Sequence, residues 1–400
     1  MNKKKEWKYL FLIVVIFIAA CIETDIYLPA FPDMMMAFNA SEGEIQSLLT
    51  WNFAGICLSG PLYGPLSDAF GRKKPLLLAL FLFLLGSIIT LFAPTLGQML
   101  AGRLLQGLGS GGCFTLGTAI IFDAFQKEKA IQALNRLNMI IPVLMSVAPM
   151  VGAYLNHIYG FRSNFLLIAL FVLISLFVCL LFFEETHPKE KQTPFKINSV
   201  LQDFKEALFN GSFWQLTLTS SLLFAGYIAF LSGTAVLFVI DFHMSKTVFP
   251  FFQASLLLAW IIGGFALKPA LNKWGPLPVK KAGLGLSLVG AFSFAIASYF
   301  SPQDAYLLTS GMLLYAFGAN WMIGLYFPEA MEILPHIKGV TASLLTSVRL
   351  LISALIVGAS GLIYNGTIYP IVAIVLGSAV LILPMVLSYE RKNYLKQTSI

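Results

Sequence analysis

Long apolar runs are the feature of this sequence that most restricts its fold. A helix that crosses a membrane needs about 20 mostly apolar residues, and the 400-residue chain contains twelve such runs. Only 11% of its residues are charged, against roughly 25% in a soluble domain, and the mean hydropathy is +0.81. We therefore predict an all-α, multi-pass membrane protein. The twelve predicted transmembrane helices cover 9–31, 44–66, 75–93, 97–122, 134–157, 163–183, 211–240, 247–271, 279–300, 305–328, 339–363 and 367–389.

One long, charged connection divides the twelve spans into two groups of six. This division predicts an N-terminal six-helix bundle at 1–183, a cytoplasmic linker at 184–210 and a C-terminal six-helix bundle at 211–400. Four apolar residues of the linker recur at helical spacing, which predicts an amphipathic helix on the membrane surface. A disordered linker is the alternative. The four residues are Val200, Leu201, Phe204 and Leu208.

The distribution of basic residues predicts the topology. With twelve spans, both termini lie on the same side of the membrane. Of the 26 basic residues, 22 fall on that side, two (Arg162 and Lys246) fall on the opposite side, and Arg103 and Arg349 lie inside spans. Because cytoplasmic loops carry an excess of Lys and Arg, we predict that both termini are cytoplasmic. The net charge of +7 then reflects topology and does not indicate a nucleic-acid partner.

The N-terminus allows a second interpretation. The residues "KKK", the apolar run after them and "IAAC" resemble a lipoprotein signal that ends at Cys21. Cleavage there would leave eleven spans, which conflicts with the charge distribution, so we expect the run to remain as the first span. All four cysteines lie in apolar runs without metal-ligand spacing, which predicts buried free thiols. They are Cys21, Cys57, Cys113 and Cys179.

The stretch "ETDIYLPAFPD" places two acids inside the first span. At about 1.5 Å per residue, Asp25 lies about 10 Å below the outer surface, Glu23 about 13 Å, and Arg103 of the fourth span about 12 Å. A charge in lipid costs roughly 2.5–3.5 kcal/mol on insertion scales, so an ion pair is expected. Glu23 and Asp25 are about 200° apart on a regular helix, unless Pro29 distorts the turn.

These depths and directions define the predicted proton-coupling residues. We expect Asp25 to pair with Arg103 and to face the transport pathway, whereas Glu23 lies between helices or at the rim of the pathway. An acid in such a place can alternately hold a proton or respond to a substrate. A purely structural ion pair between the first and fourth helices is the alternative.

The loop "GPLSDAFGRKK" between the second and third spans predicts a conformational latch. In it, Asp68 pairs with Arg72 or caps the next helix. Such a charge cluster can hold two helices together in one state and release them in another. An ordinary basic loop is the alternative. The predicted latch residues are Gly64, Asp68, Gly71, Arg72 and Lys73.

This loop resembles the signature of the major facilitator superfamily, which also follows the second of twelve helices. The stretch "LAGRLLQGLGSGG" resembles the fourth-helix pattern of that family, and "APMVGAY" resembles its fifth-helix antiporter motif. In the latter, Pro149 and Gly152 are the expected helix-bending residues, and Ala148 and Ala153 replace the usual glycines. The stretch "TDIYLPAFPDM" is similar to the first-helix signature of the bicyclomycin- and chloramphenicol-resistance subfamily of drug:proton antiporters.

The resemblance implies the fold, activity and location of the chain. It implies two six-helix bundles in the bacterial inner membrane that export small drug-like or amphipathic compounds by proton-coupled alternating access. In this family the first, fourth, seventh and tenth helices line the cavity. The substrate-binding residues implied in this way, with a possible addition on the second helix, are Tyr227, Phe230, Tyr315, Asn320, Trp321 and Asn52.

Arg349 suggests a different substrate. It lies about 15 Å into the eleventh span without an acid partner that the sequence reveals, so it is a candidate to bind an anionic substrate group. Together with Arg103 it favours the alternative of a transporter for an anionic metabolite or a siderophore, in either direction. Packing of Arg349 against backbone carbonyls is the remaining alternative.

Several function classes lack support in the sequence. It contains no Walker loop, dinucleotide fingerprint or nucleophile elbow, no polar catalytic cluster and no soluble output domain. We therefore expect neither an enzyme nor a receptor, and no cofactor, metal site or nucleic-acid partner. The expected partners are protons, a small-molecule substrate and membrane lipid, and the expected state is a monomer.

Overall fold

Two compact units make up the structure. The computed structural model describes residues 3–125, 144, 147–187, 190, 192, 197–245 and 248–398. All regular secondary structure in these ranges is helical. The units are Met1–Val200 and Leu201–Ile400, and the division between them falls inside the segment 184–210.

The described residues of the first unit up to Phe182 form seven α-helices. A short 3-10 turn, Leu28–Ala30, separates the first two, so that both together correspond to the first predicted span. The helices are α1 (Lys3–Asp25), α2 (Phe31–Phe38), α3 (Glu42–Phe70), α4 (Lys73–Phe92), α5 (Leu96–Ala124), α6 (147–159) and α7 (Arg162–Phe182).

The described residues after α7 contain one short α-helix and six long ones. The short helix, α8 (Ile197–Leu208), lies in the predicted linker. Its Leu201 and Leu208 are exposed, the side chain of Val200 lies outside the described residues, and the position of α8 on a membrane surface stays a prediction. The long helices are α9 (Gly211–Val236), α10 (Phe249–Trp274), α11 (Pro276–Phe300), α12 (Ala305–Ile333), α13 (Lys338–Ile363) and α14 (Tyr369–Thr398).

Most of the predicted spans are present as long apolar helices. Among the described residues, nine candidate spans are long and apolar enough to cross a membrane. Helices α3 and α12 are less apolar, but each has 29 residues, enough for a hydrocarbon core of about 30 Å. The first part of the predicted fifth span, 134–143, lies outside the described residues, as does Lys246 of the predicted outer loop.

Side-chain caps set the beginnings of four of the long helices. Ser41 precedes α3 in a capping box, where its backbone N–H donates to Glu44 Oε2 at 2.8 Å and its hydroxyl accepts from the Glu44 N–H. Thr95, Asn210 and Asp304 accept in the same way before α5, α9 and α12. The caps supply acceptors to first-turn N–H groups that have no partner within the helix.

Glycines bring the backbones of α3 and α5 into contact. A Cβ atom on Gly107 would lie 2.0 Å from the carbonyl oxygen of Asn52, and one on Gly111 would lie 2.0 Å from Ser59 Oγ. This is the small-residue packing that Gly-x-x-x-Gly spacing predicts in membranes. A second Gly-x-x-x-Gly pair, Gly60 and Gly64 of α3, differs from it, because Gly64 has open space around it. The contact also places Asn52 beside Arg103 of α5, whose carbonyl accepts from Asn52 Nδ2 at 3.4 Å.

We expect Gly107→Ala to destabilise the protein by about 1–3 kcal/mol or more, because the added methyl group forces two backbones apart. The measurement is the melting temperature of the purified protein in detergent. Gly97→Ala is the matched control, since Gly97 lies in the same helix with no atom within 4 Å of an added Cβ. Equal melting temperatures for the two variants would show that α3 and α5 are not in such close contact.

Candidate functional site

The first helix ends at the acids that the sequence analysis singled out. Helix α1 ends at Asp25, and the chain passes through a turn at Ile26 and Tyr27. The N–H of Ile26 still donates to the carbonyl of Ile22 at 3.2 Å. Regular helical geometry therefore extends through Glu23 and Asp25, and their side chains point in nearly opposite directions.

Glu23, not Asp25, forms the ion pair with Arg103. Arg103 Nη1 lies 2.8 Å from Glu23 Oε2, and both side chains are fully buried. Two neutral residues also donate to this carboxylate. Asn52 Nδ2 lies 3.1 Å from Oε1, and Ser110 Oγ lies 3.0 Å from the same oxygen. The negative charge of Glu23 is thus compensated from α3 and α5 together.

Arg103 is held by further contacts with α1 and within α5. Its Nη1 donates to Gln106 Oε1 at 2.7 Å, and its Nη2 donates to the Tyr27 hydroxyl at 2.9 Å. The Gln106 amide in turn donates to Ser87 Oγ of α4 at 2.9 Å. Arg103 Nε is buried and makes no hydrogen bond within the described residues. A single polar network therefore connects α1, α3, α4 and α5.

The prediction that Asp25 pairs with Arg103 is wrong. Depth along the helix does not distinguish the two acids, because they are only two residues apart. The rotation of α1 about its axis decides between them, and it directs Glu23 towards α5. Glu23 does lie between helices, as expected, but at the centre of a buried network and not at a rim.

Asp25 has almost no compensation for a negative charge. Its side chain is only 7% exposed, and its one hydrogen bond within the described residues comes from Thr24 Oγ1 at 3.3 Å. It makes no ion pair in the described part of the chain. A buried carboxylate in this situation is costly while it is ionised. The two acids therefore differ in their partners. Glu23 has an ion pair and two further hydrogen-bond donors, whereas Asp25 has one hydrogen-bond donor.

Helix α6 packs against the turn that follows Asp25. A Cβ atom on Gly152 would lie 1.6 Å from the carbonyl oxygen of Ile26, so only glycine fits at this contact. Pro149 lies in the same helix, three residues earlier. The structure thus shows a close-contact role for Gly152, and a role for Pro149 and Gly152 in helix bending stays a prediction.

A second polar cluster joins the ends of α3 and α5. Arg72 is buried, and its side chain donates to Asp68 Oδ1 at 2.6 Å, to Asp123 Oδ2 at 2.7 Å and to the Ser67 hydroxyl. Burial by itself would lower the pKa of Arg72, but the hydrogen bonds and charges of Asp123 and Asp68 outweigh it and raise the pKa. The predicted Asp68–Arg72 pair is confirmed, whereas capping of α4 by Asp68 is not observed.

The sequence analysis missed the residue that caps α4. The carboxylate of Glu185, which follows α7, accepts from the backbone N–H groups of Arg72 at 2.8 Å and Lys73 at 3.1 Å. Gly71 has φ +83°, and a Cβ atom there would lie 2.6 Å from Glu185 Oε2. Gly71 is therefore required at this turn, while Gly64 contributes only a carbonyl that accepts from Ser67.

We expect Arg72→Gln to destabilise the first unit by about 1.5–3 kcal/mol, because Asp123 and Asp68 lose a charged hydrogen-bond donor. The exposure of Asp68 keeps the effect below that of a fully buried pair. The melting temperature measures it, with the exposed Lys74→Gln as the control for loss of one positive charge. An Arg72→Gln variant as stable as Lys74→Gln would contradict this assignment.

The second unit contains a similar cluster built from different residues. Lys280 of α11 lies 2.6 Å from Glu329 Oε1 of α12 and 3.0 Å from Glu390 Oε1 of α14. Before α11, Gly275 has φ +78°, close to that of Gly71. The loop "LNKWGPLPVKK" resembles a degraded copy of the first-unit loop, but its acid partners are 49 and 110 residues away in sequence, so sequence reasoning did not find them.

Several predicted substrate residues use their polar atoms for hydrogen bonds inside the fold, and substrate binding by them stays a prediction. The amide nitrogen of Asn52 is occupied by Glu23. The Tyr315 hydroxyl donates to the Leu223 carbonyl at 3.0 Å, and Trp321 Nε1 donates to the Gly263 carbonyl at 2.8 Å. Because these polar atoms are engaged inside the fold, the structure leaves them little to offer a substrate.

The other predicted substrate residues differ in exposure. Phe230 is buried and packs on Phe294 with ring centroids 5.5 Å apart. Asn320 is half-buried. Tyr227 packs on Trp260 with ring centroids 4.8 Å apart. Arg349 keeps part of its surface accessible, which makes it the strongest remaining candidate.

The structure has membrane-length helices in two units. It also has a charged pair buried at span depth and ion clusters at helix ends. This combination is typical of a multi-pass membrane transporter. The sequence pattern of the Major Facilitator Superfamily matches residues 13–358, and the chain belongs to that superfamily.

Curated relatives match over most of the chain. An uncharacterized MFS-type transporter of Bacillus subtilis, YdgK, is 28% identical over 385 residues and covers 94% of each chain. The multidrug resistance protein MdtM of Escherichia coli K12 is 28% identical over 317 residues, 78% of this chain and 74% of its own length. A bicyclomycin resistance protein homolog of Haemophilus influenzae is 22% identical over 338 residues, 83% of each chain.

The fold is also that of solved transporters. The crystal structure of a bacterial homolog of the human lysosomal transporter Spinster superposes with a TM-score of 0.75, at 15% identity and 98% coverage of both chains. At this identity the likeness shows the fold alone. It agrees with the prediction of twelve transmembrane helices of the major facilitator type.

Proposed function

We propose that this chain exports small drug-like or amphipathic compounds in exchange for protons. Membership in the superfamily supports transport by alternating access, in which two bundles move around a site near the middle of the membrane. The MdtM and bicyclomycin-resistance relatives, which are named for drug resistance, support drug-like substrates. The bacterial sources of these relatives support a location in the bacterial inner membrane.

The contrast between Glu23 and Asp25 is the observation that carries the proton coupling. Arg103, Asn52 and Ser110 all donate hydrogen bonds to the carboxylate of Glu23, so this carboxylate is fully engaged in the network. Asp25 has only Thr24 as a donor. It therefore gains most from a proton when water is excluded, and it releases the proton when water or a cationic group approaches.

The fixed pair has a positioning role in this proposal. Arg103 and Glu23 connect α1 to α5, and the polar network that they form holds the end of α1 where Asp25 lies. Asp25 is the proton-carrying residue, and Glu23 and Arg103 keep it in position. The Arg72 cluster acts as the latch of the first unit.

The topology and the oligomeric state complete the proposal. The excess of basic residues in one set of loops supports cytoplasmic termini. We infer a monomer in contact with membrane lipid, since each unit has its own buried core.

The test uses purified protein in liposomes with a pH-sensitive dye inside. A panel of neutral, cationic and anionic aromatic drugs is added with and without an imposed pH gradient, while valinomycin and potassium clamp the membrane potential. We expect at least one compound to move protons and to accumulate against its gradient only when the pH gradient is present. Transport that is insensitive to the pH gradient would contradict the proposal, and so would the absence of transport for the whole panel.

A further inference from the structure

Arg349 is a positive charge near the middle of a span. It lies eleven residues after the start of α13 (Lys338–Ile363), which places it about 16 Å along a helix of about 39 Å. Its side chain forms no ion pair and no hydrogen bond within the described residues, and its Nε is buried without a partner. A charge at this depth is expensive in lipid, so the accessible side of Arg349 must meet water or an anion.

Aromatic rings cover the faces of this guanidinium. Its central carbon lies 5.0 Å from the ring centroid of Phe224 in α9 and 5.9 Å from that of Phe327 in α12. Phe224 also packs edge-on against Trp260 of α10, with centroids 6.1 Å apart. All three rings are half-buried, so they keep apolar surface that another planar group can cover.

The rings stabilise the cation but leave its hydrogen-bonding edge unused. A cation–π contact acts on the face of the guanidinium, whereas the five N–H donors point outward in its plane. A carboxylate can accept two of these N–H groups side by side, which is the strong, directional pairing that arginine makes. The free edge of the Arg349 guanidinium can therefore bind a planar anion.

The acids of the second unit have other partners. Glu329 and Glu390 lie at Lys280, Asp241 accepts from the Tyr364 hydroxyl, and Asp304 caps α12. None of these four acids is available to Arg349 within the described residues. Because no acid among the described residues pairs with Arg349, a bound ligand can supply its counter-anion.

We propose that Arg349, Phe224, Phe327 and Trp260 form a subsite for the carboxylate of a planar aromatic compound. The carboxylate pairs with the edge of the Arg349 guanidinium, and the aromatic part of the ligand packs against the three rings. The inference rests on the proposed export function and names one substrate class for it: aromatic carboxylates, including zwitterionic drugs that carry one. Arg103 is not part of this subsite, because Glu23 already neutralises it.

The test compares two ligands of the same shape. Binding of 2-naphthoate and of the neutral 2-naphthamide to the purified protein is measured by titration calorimetry. We expect the wild-type protein to bind naphthoate at least tenfold more tightly than naphthamide, and Arg349→Gln to remove this preference while leaving naphthamide binding within about twofold, since only the charge-assisted pair is lost. Lys268→Gln, at an exposed position of α10, is the control and should behave as wild type.

A second variant, Arg349→Lys, keeps the test decisive if Arg349→Gln does not fold. Arg349→Lys keeps the charge but loses the planar pair of donors, so the preference for naphthoate should fall and still be measurable. Equal binding of the two ligands by wild type, or an unchanged preference in Arg349→Gln, would overturn the subsite. Export of a neutral drug driven by a pH gradient is measured separately in wild type and in Lys268→Gln, as the readout of the proposed function. If wild type shows no such export, the proposed function fails, whatever the naphthoate result.

Discussion

Asp25→Asn is expected to abolish transport driven by a pH gradient while the protein remains folded and inserted. Asparagine has nearly the shape of aspartate and can still accept a hydrogen bond from Thr24, but it neither binds nor releases a proton. Because Asp25 makes no ion pair within the described residues, its neutralisation leaves no buried cation without a partner. Stability should therefore be unchanged or slightly higher, since an uncompensated buried charge has been removed.

The measurement is substrate-induced proton movement in liposomes, together with the melting temperature of the same preparation. Asp304→Asn is the matched control, because asparagine also caps helices well and Asp304 lies at the start of α12, in the second unit. We expect Asp25→Asn liposomes to behave like empty ones and Asp304→Asn liposomes to behave like wild type. Normal proton coupling in Asp25→Asn would rule out Asp25 as the proton carrier.

Glu23→Gln is expected to have the opposite pattern, with a large loss of stability. The substitution leaves the fully buried guanidinium of Arg103 without its counter-charge. Breaking a buried ion pair by removing one partner typically costs about 3–5 kcal/mol. We expect a much lower yield of folded protein and a clearly lower melting temperature than for Asp25→Asn.

A double-mutant cycle separates the loss of the pair from the loss of each residue. Arg103→Gln alone should also be strongly destabilised, because Glu23 is then buried with only Asn52 and Ser110 as donors. The double variant Glu23→Gln/Arg103→Gln should recover part of the stability, since neither charge remains. If the two effects simply add, the pair does not contribute as a unit. If Glu23→Gln is stable but lacks proton coupling, the roles of Glu23 and Asp25 must be exchanged.

The two ion clusters at the helix ends show how similar arrangements are built from unlike sequences. In the first unit Arg72 is held by acids from α3 and α5, and in the second Lys280 is held by acids from α12 and α14. Each cluster follows a glycine with positive φ, Gly71 or Gly275. The two clusters therefore share a single basic residue that connects acids from different helices. They do not share the sequence motif of the first-unit loop.

The sequence by itself determined the architecture of this protein. Helices in a membrane are specified locally, because each apolar run of about 20 residues must satisfy its own backbone hydrogen bonds. Spacing along the chain was enough to place four charged residues within spans: Glu23, Asp25, Arg103 and Arg349. It also predicted the pairing of Asp68 with Arg72, four residues away.

Only the tertiary structure decided which of these charges meet. The rotation of α1 relative to α5 directs Glu23 towards Arg103 and leaves Asp25 nearly alone, and contacts between distant helices bring Glu185 to the start of α4. Contacts within each unit also bury Asn52, Tyr315 and Trp321 and leave part of the Arg349 surface accessible. Depth in the membrane follows from position in the sequence, but the direction of a side chain around its helix depends on how neighbouring helices pack.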